Sequence, residues 1–281
     1  MEDLQKQFSK LGFVQVADFF EDSKITRLEE VVTKLFLMQA NKIGEYRDLV
    51  QSMTKDDGLT SFRMLSTIYE EMEADDKEAL YQVQHYLPSS QAIRDIFDDR
   101  FMFMCANLLG VPDSDNLLLH GPGLFVNRPN TQRLQYKWHS ESHYYPKRRN
   151  LLNIWLPLFD NKSKSNGTMS FKIGSHKATF PFSEYYGFDK DTQDNDNHFL
   201  QYEIPECLLT EYEEHFIVSN RRDLVMFDQN LVHRSNNNAS DNYSMALVAR
   251  IWEPSNDLTI SGSMNVKSYG GDIGRPNLIV N

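Results

Sequence analysis

Beyond Pro112 the chain stops reading as helix. It breaks into short segments rich in β-branched and aromatic residues, separated by clusters of Asn, Asp, Gly and Pro. No other feature constrains the fold as tightly. Short runs of this composition between turn residues predict strands, here over Leu117–Asn127, Leu134–His139, Leu151–Phe159, Thr168–Ile173, Phe199–Ile204, Phe216–Val218, Asp223–Phe227 and Tyr243–Trp252. About eight such strands suit a double-sheet jelly roll. The first 110 residues have a different period. Leu4, Phe8 and Leu11 share a helical face that ends at Gly12, and Phe13 to Phe20 then alternates like a short strand. A helix with Ser23 as its cap would carry Ile25, Leu28, Val31, Val32, Leu35 and Phe36 on one side. Further helices are expected over Ser66–Tyr86 and from Ser89-Ser90 through Ile93, Ile96, Phe97, Phe101 and Met104 to Gly110. The expected class is therefore mainly β with flanking α-helices. One domain would comprise a helical support (1–110), a jelly-roll core (111–260) and an irregular tail (261–281). The Asp- and Asn-rich stretch Ser183–Asn197 reads as a long mobile loop.

Hydrophobic residues at 40% and charged residues at 25% exclude an intrinsically disordered chain. The net charge of −11 argues against nucleic acid and against an anionic membrane surface. No apolar run reaches the 18 or so residues of a membrane span. The start, Met1-Glu2-Asp3-Leu4-Gln5-Lys6, is too acidic and polar for a secretory signal, so a cytoplasmic location is the expectation. Cys105 and Cys207 lack metal spacing and read as small buried hydrophobes. No P-loop, Gly-x-Gly-x-x-Gly or Gly-x-Ser-x-Gly is present.

The chemistry concentrates at His139-Ser140-Glu141. On a strand, residues i and i+2 share a face, so His139 and Glu141 could grip one metal from one side. A second histidine on a neighbouring strand would complete the two-His, one-carboxylate face of non-haem Fe(II) oxygenases. In a chain with 8 His and 40 acidic residues, about one such triplet arises by chance. The triplet alone therefore decides nothing.

Its surroundings decide more. Leu124-Phe125-Val126-Asn127-Arg128-Pro129, Trp138-His139-Ser140-Glu141 followed by Tyr144-Tyr145-Pro146, Trp155-Leu156-Pro157-Leu158, Asn166-Gly167-Thr168, Gly174-Ser175-His176-Lys177, and Asp223 to Phe227 leading to His233 and Ser235 occur in one order. With Leu11 to Val16 at the start, this series resembles the phytanoyl-CoA dioxygenase family of Fe(II)/2-oxoglutarate-dependent oxygenases. The resemblance implies a double-stranded β-helix with Fe(II) on His139, Glu141 and His233, 2-oxoglutarate as cosubstrate and O2 as oxidant. It matches Ser235 to a cosubstrate contact and Trp155 to a residue lining the same pocket. Two positions depart from the family pattern: Glu141 stands where Asp is usual, and Ser244 stands eleven residues after the distal His, where an Arg pairs with the far carboxylate of 2-oxoglutarate. Arg128 and Lys137, on strands before or beside the first ligand, are the expected substitutes. Arg250 shares the parity of Ser244, but six residues of strand, about 20 Å, separate the two.

Among other histidines, His143 reads as loop-exposed and His176 as structural, while His85, His120, His198 and His215 receive no role. The expected substrate is a small organic molecule. Lys147-Arg148-Arg149 beside Tyr144 and Tyr145 would suit an anionic one, or is simply a solvated basic loop. The alternative function is a jelly-roll metal- or ligand-binding protein that has lost 2-oxoglutarate use.

Overall fold

The computed structural model describes residues 2–42, 65–70, 77–130, 135–187 and 199–256. Five helices are named here: α1 (Glu2–Leu11), α2 (Asp22–Ala40), α3 (Lys77–Tyr86), α4 (Gln91–Ile96) and α5 (Asp99–Leu109). Residues 65–70 are also helical. The predicted helix from Ser90 to Gly110 is two helices. Ser90 caps α4 by accepting from the Ile93 N–H, and Asp98 caps α5 by accepting from the Phe101 N–H at 2.9 Å. An aspartate that satisfies a helix-start N–H is a boundary, and the apolar spacing runs across it unbroken. Gly110 ends α5 in the left-handed conformation, φ 68°. The cap of α2 is Glu21 rather than Ser23.

Among the described residues ten strands are present, all but the first beyond Pro112: β1 (Phe13–Val16), β2 (Leu118–Asn127), β3 (Leu151–Leu158), β4 (Met169–Lys172), β5 (Ser183–Gly187), β6 (Phe199–Glu203), β7 (Glu214–Phe216), β8 (Leu224–Asp228), β9 (His233–Ser235) and β10 (Ser244–Trp252). A five-stranded sheet runs β1-β8-β3-β10-β2, a three-stranded sheet β7-β4-β9, and β5 pairs with β6; all these pairings are antiparallel. Two expectations fail here. Residues 135–139 form no strand: His139 makes a single bridge to His233. The supposed loop from Ser183 begins as β5, while its remainder and the expected tail 261–281 lie outside the described residues. Cys105 is buried as expected, but Cys207 is exposed.

The sheets position the site by alternation. Leu152, Ile154, Leu156, Leu158, Met245, Leu247, Ala249 and Ile251 face one core shared with α2, α4 and α5. The opposite residues Trp155, Val225, Phe227 and Ala246 meet Met169 and Phe171 of the smaller sheet in a second core. The helices therefore cover the outside of the main sheet, and the space between the two sheets is the barrel interior.

Gly167 shows how close the packing becomes at the turn into β4. Its φ is +77°, and an added Cβ would lie 2.5 Å from Asn127 Nδ2 and 2.9 Å from the Asn238 Cβ. Gly167→Ala should therefore cost at least the 1–2 kcal/mol of a left-handed alanine, with further loss from displacing Asn127. Urea unfolding measures it, and an unchanged midpoint would show that the turn relaxes at no cost.

Candidate metal centre

His139 and His233 are fastened by the bridge between them: each backbone N–H donates to the other residue's carbonyl, at 3.0 and 2.9 Å. That pairing sets the imidazoles side by side, ring centroids 4.1 Å apart. Glu141 reaches them differently from expectation. It opens a 3-10 turn, Glu141–His143, instead of continuing a strand. Ser140 between them is extended (φ −122°, ψ 151°), so the two-residue alternation still carries the Glu141 side chain to the histidines' side. His139, Glu141 and His233 are all buried, and their ligand atoms lie within 4.8 Å of one another. Glu141 Oε2 stands 3.9 Å from His233 Nε2.

The donor chemistry fits a divalent ion. His139 Nδ1 lies 2.7 Å from the Lys137 carbonyl and His233 Nδ1 2.9 Å from the Leu231 carbonyl. A carbonyl only accepts, so the proton sits on Nδ1 of each ring and the Nε2 lone pairs remain for a metal. Burial removes competition from protons. It pushes His139 down to about 3, helped by the neighbouring His233, and His233 down to about 4. Neutral imidazoles with one carboxylate form a set suited to Fe(II).

Glu141 has a second partner that the sequence reading passed over. Arg250 donates to Glu141 Oε1 twice, from Nε at 2.9 Å and from Nη2 at 2.6 Å. Burial disfavours the guanidinium charge, but Glu141 outweighs it and holds Arg250 above its ordinary value. One carboxylate oxygen is thus held by Arg250 and the other is turned toward His233. The methylene by which Glu exceeds Asp lets one side chain reach both. Aromatic rings enclose the group: Tyr136 lies 5.3 Å from His139, Tyr144 5.6 Å from His139, and Phe227 4.8 Å from His233. Burial foremost, and then the Glu141 charge, push the Tyr136 phenol up to about 12.

The remaining candidates divide. Trp155 is buried in the interior core, and Ser235 is paired with Met169 of that core. Ser244 is buried on the same inner parity as Ala246, with Asn127 as its strand partner. Around it lies a neutral amide network: Asn127 Nδ2 donates to the Gly167 and Asn236 carbonyls, and Asn236 Nδ2 to Ser170 Oγ. Arg128 is half-buried, one residue beyond β2. Lys137 does not serve the interior. Its side chain is 52% exposed, its ammonium pairs with Glu203 at 2.6 Å, and it lies over the Tyr185 ring. The β5–β6 hairpin that provides both partners is remote in sequence, so no local pattern announces them. His143 is half-buried and stacks on Phe182 at 4.1 Å, where exposure was expected. His176 Nε2 donates to the Ser9 carbonyl at 3.2 Å and the ring packs against Gly12, consistent with a structural part.

The solved structures with this fold include EvdO2 from Micromonospora carbonacea var. aurantiaca (15% identity, 94% of this chain and 95% of that one, TM-score 0.58). EctD from S. alaskensis with bound Fe is 16% identical over 92% of this chain and 79% of that one, TM-score 0.57. The non-heme alpha ketoglutarate dependent epimerase SnoN from nogalamycin biosynthesis is 14% identical over 90% and 80%, TM-score 0.53. No curated protein matches this sequence at a significant level. Among the described residues no helix is long and apolar enough to cross a membrane. The likeness to these structures is one of fold: a jelly roll with N-terminal helices. The family model for phytanoyl-CoA dioxygenase (PhyH) matches residues 8–246, and the chain belongs to that family.

Proposed function

We propose that this protein is a non-haem Fe(II) dioxygenase that couples oxidative decarboxylation of 2-oxoglutarate to hydroxylation of a small organic substrate. The observation that carries the reading is the buried His139, Glu141, His233 group, with both Nδ1 atoms on carbonyls and both Nε2 atoms left for an ion. When bound, Fe(II) with the keto acid and O2 supplies a two-electron oxidation that releases succinate and CO2 and leaves one oxygen atom on the substrate. His139 and His233 would hold the ion through their Nε2 atoms. Glu141 supplies the third donor while Arg250 balances its charge, so a divalent ion would leave the centre with two net positive charges, suited to a dianionic keto acid. Trp155 and the interior phenylalanines exclude water from one side. Arg128 follows Asn127, the strand partner of Ser244, and so offers a cation within one residue of the position where the family pattern expects its Arg.

A second reading, a metal- or ligand-binding jelly roll without keto-acid chemistry, is favoured by the neutral amide network around Ser244. Anaerobic titration of the Fe(II) protein with 2-oxoglutarate separates the two. A metal-to-ligand charge-transfer band, and succinate formation once O2 is admitted, are expected. Arg128→Ala should weaken keto-acid binding about thirtyfold, the effect of about 2 kcal/mol at the low end for truncating one partner of a charge pair between binding partners, and Ser244→Ala should change it little. Absence of any metal-dependent keto-acid binding would sink the oxygenase reading in favour of the second.

A further inference from the structure

The inner face of the main sheet carries charge at the end opposite Ser244. Arg250 has Asn153 of β3 on one side and His120 of β2 on the other as strand partners, so the three form one row across the sheet. The place of His120 in that row depends on a bulge. Between Val248 and Arg250 the register shifts, with Val248 opposite Gly123 and Arg250 opposite His120. Gly121, φ +57°, takes up the extra residue. Regular pairing would have set Gly121 opposite Arg250; the bulge turns an imidazole to that face instead, a known use of bulges near functional sites. Trp252 lies two residues further along β10, on the same side.

Asn153 is 3% exposed and Trp252 is 8% exposed, and among the described residues neither Asn153 Nδ2 nor Trp252 Nε1 has a hydrogen-bond acceptor. A buried donor left unmade costs about 1–3 kcal/mol, so two of them beside a guanidinium mark a place built for something that accepts. Arg148 adds a second cation, its guanidinium 3.5 Å over the Trp252 ring and 5.5 Å from the Tyr145 ring. His120 stands 6.0 Å from Tyr145 and 5.8 Å from Trp252. Burial first, and then the charges of Arg148 and Arg250, hold His120 below its usual value, which reports how positive this corner is. In a chain of net charge −11 the concentration of cations is local.

We infer that Arg250, Asn153, Trp252 and His120 form a binding site for an anionic oxygen-bearing group, a carboxylate or a phosphate, walled by Tyr145 and Trp252. As a site for a reactant, it rests on the metal-centre reading above. Arg250 links the two, since it touches Glu141 and faces this row at once. The anion has two possible sources, the substrate's own acidic group or the distal carboxylate of the keto acid.

Benzoate, with neutral benzamide as its control, is the probe, titrated calorimetrically into the anaerobic Fe(II) protein with and without 2-oxoglutarate. Benzoate should bind at least about tenfold more tightly than benzamide, because charge-assisted hydrogen bonds to donors discriminate for the anion. Asn153→Asp, nearly isosteric, and His120→Glu, at an exposed position, each add a negative charge to the row and should each weaken benzoate at least about tenfold. If 2-oxoglutarate, followed by its charge-transfer band, weakens in parallel, the site holds the keto acid's distal carboxylate; if it stays within about twofold, the site belongs to the substrate. Equal binding of benzoate and benzamide, or benzoate unaffected by both variants, overturns the inference. A wild-type protein that discriminates for benzoate but gives no keto-acid band would overturn the oxygenase reading and leave the anion site standing.

Discussion

Replacing His139 or His233 with Ala is expected to weaken Fe(II) binding by more than about a hundredfold and to abolish succinate formation. Losing a group that merely orients a ligand costs about 10- to 100-fold in metal affinity, and here one of three proteins donors disappears. Each variant should still fold. The imidazoles are neutral and bonded only to local carbonyls, two residues back in the chain, so their removal strands no charge. Glu141→Ala differs, because it leaves the Arg250 guanidinium without its carboxylate. Affinity is measured by anaerobic equilibrium dialysis, with the far-ultraviolet circular dichroism of the metal-free variants as the folding control. Wild-type affinity in either histidine variant, with native dichroism, would mean that the ion is held elsewhere.

The parts of this arrangement that the sequence discloses are those governed by local period. Alternation assigns Trp155, Ser244 and Arg250 to the interior, and the turn residues delimit most of the strands, because both effects act over two to four residues. The sequence pairs His139 and Glu141 only if a continuous strand carries both. The pairing survives in a 3-10 turn only because Ser140 is extended. What could not be read depends on partners far along the chain. Lys137 meets Glu203, and Arg250 meets Glu141 109 positions away. Arg250 lies too far from Ser244 to replace the expected Arg, but the same 20 Å or so that removes it from that end brings it to the metal end. Gly121-Pro122-Gly123 is a recognisable irregularity in a strand. Its consequence, His120 beside Arg250, requires knowing which strand lies next to β2. Asn153 has no signature at all in the sequence, since an asparagine in an apolar strand looks the same whether its amide is satisfied or not.

The Arg250–Glu141 pair yields the second large expected effect. Arg250→Met should destabilise the metal-free protein by about 3 kcal/mol, the lower end of the range for stranding one member of a buried pair, because the guanidinium is 24% exposed while the carboxylate is 7% exposed. For a chain of this size that is a fall in Tm of about 5 °C. The metal should repair part of the loss. With Arg250 gone, a divalent ion would take over as the counter-charge to Glu141, so its addition should raise the Tm of Arg250→Met by more than it raises that of the wild type. Arg250→Lys keeps the charge but loses the planar fork that makes two bonds to one oxygen; its metal-free stability should fall between the two. Differential scanning calorimetry with and without Mn(II), a redox-stable stand-in for Fe(II), reads all three proteins. Equal stabilisation of wild type and Arg250→Met by the ion would show that Glu141 does not reach the metal. A metal-free Arg250→Met as stable as the wild type would show that the carboxylate is solvated once the guanidinium is removed, and that Arg250 does not set its position.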